Sequence, residues 1–171
     1  MSDGQPRAHR VAADQQVATR MVPQHVSAHP GSSSTGVSAR MSRARRRDTA
    51  PEVALRRELH ARGLRYRVAY PVPGQRRRTI DITFTRLKVA VFVDGCFWHG
   101  CPEHGTKPRS NSAWWQEKLA ANAARDADTD RALTELGWLV IRVWEHDLDL
   151  RAADLVEKCV RGRSAPVASC E

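Results

Sequence analysis

A chain of 171 residues is long enough for one domain with a real hydrophobic core and too short for two comfortable ones. Its 41% hydrophobic and 27% charged residues describe a soluble globular protein, and its longest largely apolar runs, 89–93 and 138–143, are strand-sized, well below the ~20 residues of a membrane span. A net charge of +9, carried by arginine far more than lysine, makes nucleic acid the leading candidate partner, the plain alternative being a basic protein with no such ligand.

Residues 1–39 mix Pro, Gly, Ser, Gln and Ala without helical or strand period, and 30–36 has linker composition, so this stretch is expected to be a disordered extension without the apolar core of a secretory signal. An arginine arm follows at Arg40, Arg43, Arg45, Arg46 and Arg47. Asp48 or Thr49 can cap a helix with Pro51 in its first turn, Leu55 and Leu59 form its apolar face, and Gly63 marks its end. Strands are expected at about 65–70, 79–85 and 88–93, joined first through Pro71, Pro73 and Gly74 and then by a short turn at 85–87. The Gly, Pro, Cys and His content of 94–111 predicts an irregular loop. A long helix from about 112 to 136 ends at Gly137, and a strand at 138–144 and a helix at 150–160 complete the order. This order is that of an α/β domain on a mixed sheet, spanning 40–162, with a flexible tail at 163–171.

Asp81 stands inside the apolar run Thr79-Ile80-Asp81-Ile82-Thr83-Phe84, where alternation places it opposite the face of Ile80, Ile82 and Phe84. Aspartate is disfavoured in strands, so it is either a solvated edge residue or a functional one. A carboxylate projecting from a sheet near a second acid holds a hard cation such as Mg²⁺ beside a phosphate. Asp94, at the end of the next strand, is the second acid, and Glu52 on the first helix is a third candidate.

The stretch Cys96-Phe97-Trp98-His99-Gly100-Cys101-Pro102-Glu103-His104 carries the most information. Cys96, Cys101 and His104 are three zinc-type ligands on one loop, and His146, after the last strand, is the obvious fourth. Four protein ligands leave no open position, which is the pattern of a structural zinc in a reducing cytosol, whereas Cys159 and Cys170 stand apart. His99 falls outside this set and, beside the acids, is suited to proton transfer in hydrolysis. Phe97, Trp98 and Trp115 either join the core or present flat faces to DNA bases; Trp138 and Trp144 read as core.

Taken together, these residues resemble the very short patch repair endonuclease family. The resemblance rests on Met41 with Arg47-Asp48-Thr49-Ala50-Pro51-Glu52, on Thr79-Ile80-Asp81, and on Phe92-Val93-Asp94-Gly95-Cys96-Phe97-Trp98-His99. It continues through Trp115-Gln116-Glu117-Lys118, Asn122, Arg125-Asp126, Gly137-Trp138 and Val143-Trp144-Glu145. It implies a restriction-endonuclease-like fold and a Mg²⁺-dependent nick 5′ of the T in a T·G mismatch left by deamination of 5-methylcytosine. Asp81 is then the metal-binding catalytic carboxylate, the main chain of Val93 a second metal contact, and His99 the catalytic histidine. Phe97, Trp98 and Trp115 wedge beside the mismatch, Met41 enters from the other side, and Arg45 and Arg47 contact DNA. The family's histidine is replaced here by Asp94, so a base role shifts to His99 or Asp94, and His146 stands where the family has a cysteine. Double-stranded DNA with a T·G mismatch is the implied partner, with mismatch-repair proteins as further candidates, for a monomer acting in the bacterial cytoplasm. The rival readings are a zinc-stabilised DNA-binding module without cleavage and a nickase of different specificity. Arg76, Arg77 and Arg78 are either phosphate contacts or a solvated run ahead of the Asp81 strand.

Overall fold

A computed structural model of the chain describes residues 10–11, 26–28, 31, 47–106, 108–147 and 150–164. Met41 and Arg45, two of the residues expected at DNA, lie outside these, as do residues 165–171 of the expected tail. No helix among the described residues is long and apolar enough to cross a membrane.

The first helix, α1 (Ala50–Ala61), starts where the sequence signals coincide. Thr49 caps it: its Oγ1 accepts the Glu52 N–H at 3.4 Å and donates to Glu52 Oε1 at 2.9 Å, a reciprocal arrangement that satisfies end groups the helix cannot pair itself. Leu55 and Leu59 are buried on its inner face, and Gly63, at φ +80°, takes the left-handed conformation that ends it.

Five strands form one sheet in the order β1-β5-β4-β3-β2. They are β1 (Arg10–Val11), β2 (Arg67–Val72), β3 (Gln75–Phe84), β4 (Val89–Asp94) and β5 (Leu139–Trp144). The central pair β4 and β5 is parallel and the remaining pairs are antiparallel. A parallel pair requires a long crossover, which α2 (Ser112–Glu135) supplies, and α3 (Leu150–Ser164) follows β5. Leu55 and Leu59 of α1 and Ala152, Ala153, Val156 and Val160 of α3 pack on one sheet face with Ile82, Phe84, Val89, Val91, Ile141 and Val143. Leu133 of α2 packs on the other face with Val72, Ile80, Ala90, Phe92 and Val140. The result is a sheet between two helical layers, the expected mixed α/β class.

Three features differ from the sequence reading. The arginine run 76–78 lies within β3 rather than ahead of it, because the β2–β3 turn is confined to Pro73 and Gly74. Arg78 is committed to Asp128 Oδ2 at 2.7 Å and Thr129 Oγ1 at 2.8 Å, while Arg76 and Arg77 are exposed. Residues 10–11, in the stretch expected to carry no element, pair with β5. Finally, Ile80 does not share a face with Ile82 and Phe84, because β3 changes face at Asp81.

Thr49→Ala removes the side chain that caps α1 and is expected to cost about 1 kcal/mol, read as a lower urea midpoint with an unchanged slope.

Candidate active site and metal-ligand cluster

The change of face in β3 has a local cause. Paired positions between β3 and β4 end at Ile82 with Val91, and beyond that point the strands no longer form a ladder. Opposite Asp81 on β2, Ala69 adopts φ +47°, a conformation costly for a residue with a Cβ. The Val93 N–H is instead taken by the Asp81 side chain, at 2.9 Å to Oδ2. The β2–β3 register is the same on both sides of Ala69 and Asp81, the opposed pair missing from it; past this break Ile80 packs with Leu133 of α2, and Asp81 is left in the fork between β3 and β4.

Burial in this fork pushes the Asp81 carboxyl up to about 6; the Val93 N–H lowers it, while the negative charges of Glu52 and Asp94 raise it further. A buried carboxylate among other acids fits a hard dication in donor chemistry. Glu52, however, does not join Asp81 and Asp94 in a convergent ligand set. Both of its oxygens are engaged at the head of α1, by Thr49 Oγ1, by the Asp48 N–H at 3.0 Å and by Arg56 Nη2 at 2.7 Å. Asp94 is also occupied, its two oxygens meeting Arg142 Nη1 at 2.7 and 3.1 Å.

His99 stands on the loop after β4 and is aimed from α2. Its Nδ1 lies 2.6 Å from Asp126 Oδ2 and 3.6 Å from Asp94 Oδ1. Burial pulls the imidazole down, but the Asp126 hydrogen bond and the Asp94 charge outweigh it, so the histidine holds a proton more readily than usual. Arg142, on β5, completes the group: Nε lies 3.0 Å from each Asp130 oxygen, and Nη2 lies 3.6 Å from Asp126 Oδ1. Asp81 and His99 therefore flank the same strand end, the first bonded to Val93 and the second beside Asp94.

The loop that carries His99 is irregular yet held at several points. Glu145 Oε1 accepts the Cys96 N–H at 2.7 Å, and Asn122 Nδ2 donates to the Trp98 carbonyl at 3.0 Å. Gly105 approaches the loop backbone so closely that a Cβ there would lie 2.4 Å from the Cys101 carbonyl oxygen. Phe97, Trp98 and Trp115 cluster edge to face with centroids 5.1 to 6.0 Å apart, all three half-buried. Trp114 extends the cluster, 4.8 Å from Trp115. Arg47 is exposed just ahead of α1. Trp138 packs against the core beside Tyr70, whereas Trp144 stacks on His146.

Cys96, Cys101, His104 and His146 meet as the sequence spacing suggested. One donor atom from each lies within 4.8 Å of all the others, and among the described residues this is the group of three or more His, Cys, Asp or Glu side chains that could hold a metal ion. Cys96 Sγ is 3.0 Å and Cys101 Sγ 3.8 Å from His146 Nδ1, and Cys101 Sγ is 3.9 Å from His104 Nδ1. Ligand atoms around a tetrahedral zinc stand roughly 3.3–3.8 Å apart, so two thiols and two imidazoles at these separations match a four-coordinate soft site. Burial first, then the neighbouring Cys101 and Glu145, pushes the Cys96 thiol up to about 12, so ion binding there is coupled to loss of a proton.

With this geometry in place, comparison with known proteins is specific. Residues 34–104 match the family model described as DNA mismatch endonuclease Vsr. The chain is 45% identical over 122 residues to the type II nicking enzyme V.NaeI of Lentzea aerocolonigenes, covering 70% of this chain and 73% of the relative. It is 40% identical over 120 residues to the type II nicking enzyme V.XorIIP of Xanthomonas oryzae, covering 67% and 83%. It is also 37% identical over 101 residues to DNA mismatch endonuclease Vsr of Escherichia coli, covering 58% and 62%.

The chain belongs to the Vsr family.

It is accordingly a DNA endonuclease, and the family match spans Glu52, Asp81, Asp94, His99 and three of the four Cys/His ligands. Outside that match lie Asp126, which contacts the histidine, Arg142, which contacts Asp94, and Asp130, which contacts Arg142, and sequence reasoning overlooks these contacts. The available signal is spacing: Asn122, Asp126 and Asp130 recur every four residues, so they line one face of the Vsr α2 helix.

Because the Asp81 carboxyl titrates higher in the fold than in the unfolded chain, its contribution favours the native state at low pH and is lost as pH rises through about 6. The rise from 3.8 to about 6 is worth roughly 3 kcal/mol. Asp81→Asn keeps an acceptor for Val93 and removes the charge. Without added magnesium it is expected to stabilise the protein by about 1–3 kcal/mol at pH 7.5, with a gain that shrinks as pH falls toward 4. Thermal unfolding of the two proteins across this range measures it, and equal melting temperatures at pH 7.5 would contradict the account of the fork.

Proposed function

We propose that the protein is a Mg²⁺-dependent endonuclease that nicks one DNA strand 5′ of the T in a T·G mismatch, as in very short patch repair. The observation that supports this most directly is the His99–Asp126 pair beside the Asp81 fork. A histidine whose Nδ1 is bound to a carboxylate at 2.6 Å presents Nε2 as its remaining nitrogen. With the Nδ1 proton donated to Asp126, Nε2 is the lone pair that takes a proton from an attacking water, and Asp126 stabilises the imidazolium that results. Asp81 and the main-chain carbonyl of Val93 would hold Mg²⁺, which when bound supplies Lewis acidity toward a phosphate oxygen; the Val93 N–H bond to Asp81 keeps the carboxylate beside that residue. Asp94 adds negative charge beside His99 and favours its protonated form, so we assign the base to His99 rather than to Asp94.

Recognition is assigned to the aromatic cluster. Phe97 and Trp98, on the loop that carries His99, and Trp115, at the head of α2, form one adjoining cluster of rings, and wedging them between base steps costs least where pairing is already weakened. Met41 and Arg45 would act from the arm, with Arg47 against the backbone. Cys96, Cys101, His104 and His146 would hold a structural zinc that fixes the loop's path, with His146 in place of a thiolate.

A second reading changes only the substrate. V.NaeI and V.XorIIP are described as type II nicking enzymes, which favours single-strand nicking without specifying a T·G lesion. Strand-labelled duplexes carrying each mismatch, with a matched control, separate the two: preferential cutting 5′ of T opposite G is expected, and equal cutting of matched duplex selects the second reading. In the same assay His99→Ala is expected to lose about 10²–10⁴-fold in rate while still retarding the duplex in gels. Retention of wild-type nicking by that variant would remove His99 from the chemistry.

Elemental analysis is expected to find one zinc per chain. Cys96→Ser should lose it and unfold at lower temperature than the parent, whereas a folded parent protein without zinc refutes the structural-ion assignment.

A further inference from the structure

We propose that Arg142 is a positioning residue for the nicking reaction, a guanidinium on the central strand that fixes from behind the two carboxylates that aim His99. This rests on the reading of His99 as the catalytic histidine. Arg142 does not touch Asp81 or the Cys/His ligands in any contact observed, and its role is exerted through Asp94 and Asp126.

The geometry is specific to this task. Position 142 is paired with Phe92 in the parallel register, and the guanidinium carbon lies 4.6 Å from the Phe92 ring centre. Its side chain is 11% exposed, little for an arginine. An apolar residue at such a position packs as well without desolvating a charge, so a buried cluster of ions is weak evidence for stability. What the cluster provides is orientation. Nη1 grips both oxygens of Asp94, and Asp94 Oδ1, the nearer of these at 2.7 Å, is the atom 3.6 Å from His99 Nδ1. Nη2 faces Asp126 Oδ1, and the other oxygen of that carboxylate binds His99. Asp130, one turn along α2, holds the Nε edge with both oxygens and fixes the rotation of the whole fork.

Asp94 and Asp126, which converge on the imidazole, and Asp130 beside them repel one another. Without a planar, multidentate cation among them, Asp94 and Asp126 would turn toward solvent and His99 would lose its orientation. An ammonium supplies the charge but not the fork, so lysine satisfies the electrostatics without the geometry.

The test uses the full-length protein with Arg142→Gln and Arg142→Lys, checked by circular dichroism and thermal melting. For both folded variants, kcat for nicking at saturating Mg²⁺ is expected to fall by about 10–100-fold with KM for the duplex within about twofold. A direct readout accompanies this: the downfield imidazole N–H resonance of the His99–Asp126 bond, assigned by its loss in His99→Gln, should vanish in both variants. A role limited to fold stability would lower the melting temperature and leave that resonance and kcat intact at permissive temperature. That outcome overturns the proposal, as does a folded Arg142→Lys protein with wild-type kcat. Should the glutamine variant not fold, the lysine variant carries the test. If the wild-type protein fails to nick DNA, the functional reading fails instead, and the resonance alone decides whether Arg142 holds His99.

Discussion

The parallel pairing of β4 and β5 is the constraint from which the site follows. Parallel strands in register end on the same side of the sheet, with Val93 beside Val143 and Asp94 beside Trp144. The loop leaving β4 and the turn leaving β5 therefore start side by side, which brings Cys96 to 3.0 Å from His146 across fifty positions of sequence. The same register sets Arg142 next to Phe92, one step behind Asp94, so its guanidinium reaches forward to that carboxylate. An antiparallel arrangement of this pair would put the four Cys/His ligands at opposite ends of the sheet. Connecting parallel neighbours needs a crossover, and the crossover is α2, the helix that supplies Asp126. Ligand cluster, histidine and arginine are thus three consequences of one pairing.

Irregularity is concentrated where the site needs it. β3 leaves its ladder at Asp81, the loop after β4 has no regular structure, and Ala69 adopts a left-handed conformation opposite the fork. Each departure is compensated by a specific contact: the Asp81 carboxylate replaces a strand acceptor for Val93, and Glu145, Asn122 and Asp126 hold the loop at Cys96, Trp98 and His99. A loop held in this way can present bulky rings at its surface without drifting, as the edge-to-face contacts of Phe97, Trp98 and Trp115 require. Local strain near chemistry persists only when its surroundings over-determine it.

What the sequence made legible was what local rules govern. Thr49, Pro51 and Gly63 delimit α1 through capping and backbone conformation, and Gly137 at φ +78° closes α2. The Cys/His loop could be read because ligand chemistry dictates residue type and spacing, and His146 follows a strand that had to lie near the loop. Alternation failed at Ile80 because the reversal at Asp81 depends on β4, a partner no local pattern reveals. The expected strand at 138–144 and helix at 112–136 give Arg142 and Asp130 no role, and Asp126 enters only through the family resemblance. Their roles are pairwise, between elements, and the four-residue recurrence of Asp126 and Asp130 marks one helix face without naming the partner it meets. Arg78 is the converse case: it reads as a candidate phosphate contact, and it is committed to Asp128 and Thr129 of α2.

The distribution of charge links these observations to DNA. The chain carries a net +9, which attracts a polyanion from a distance. Its candidate centre has the opposite sign: among the described residues, Asp81, Glu52, Asp94, Asp126 and Asp130 gather around the cations Arg56 and Arg142 and the imidazole of His99. On the proposed reading, a phosphate drawn in by the net positive charge would meet repulsion beside Asp81, whose carboxyl is raised first by burial and then by the negative charges of Glu52 and Asp94. A divalent ion held at Asp81 would, on the same reading, offset that repulsion, and so be a condition of close approach as well as a participant in the chemistry.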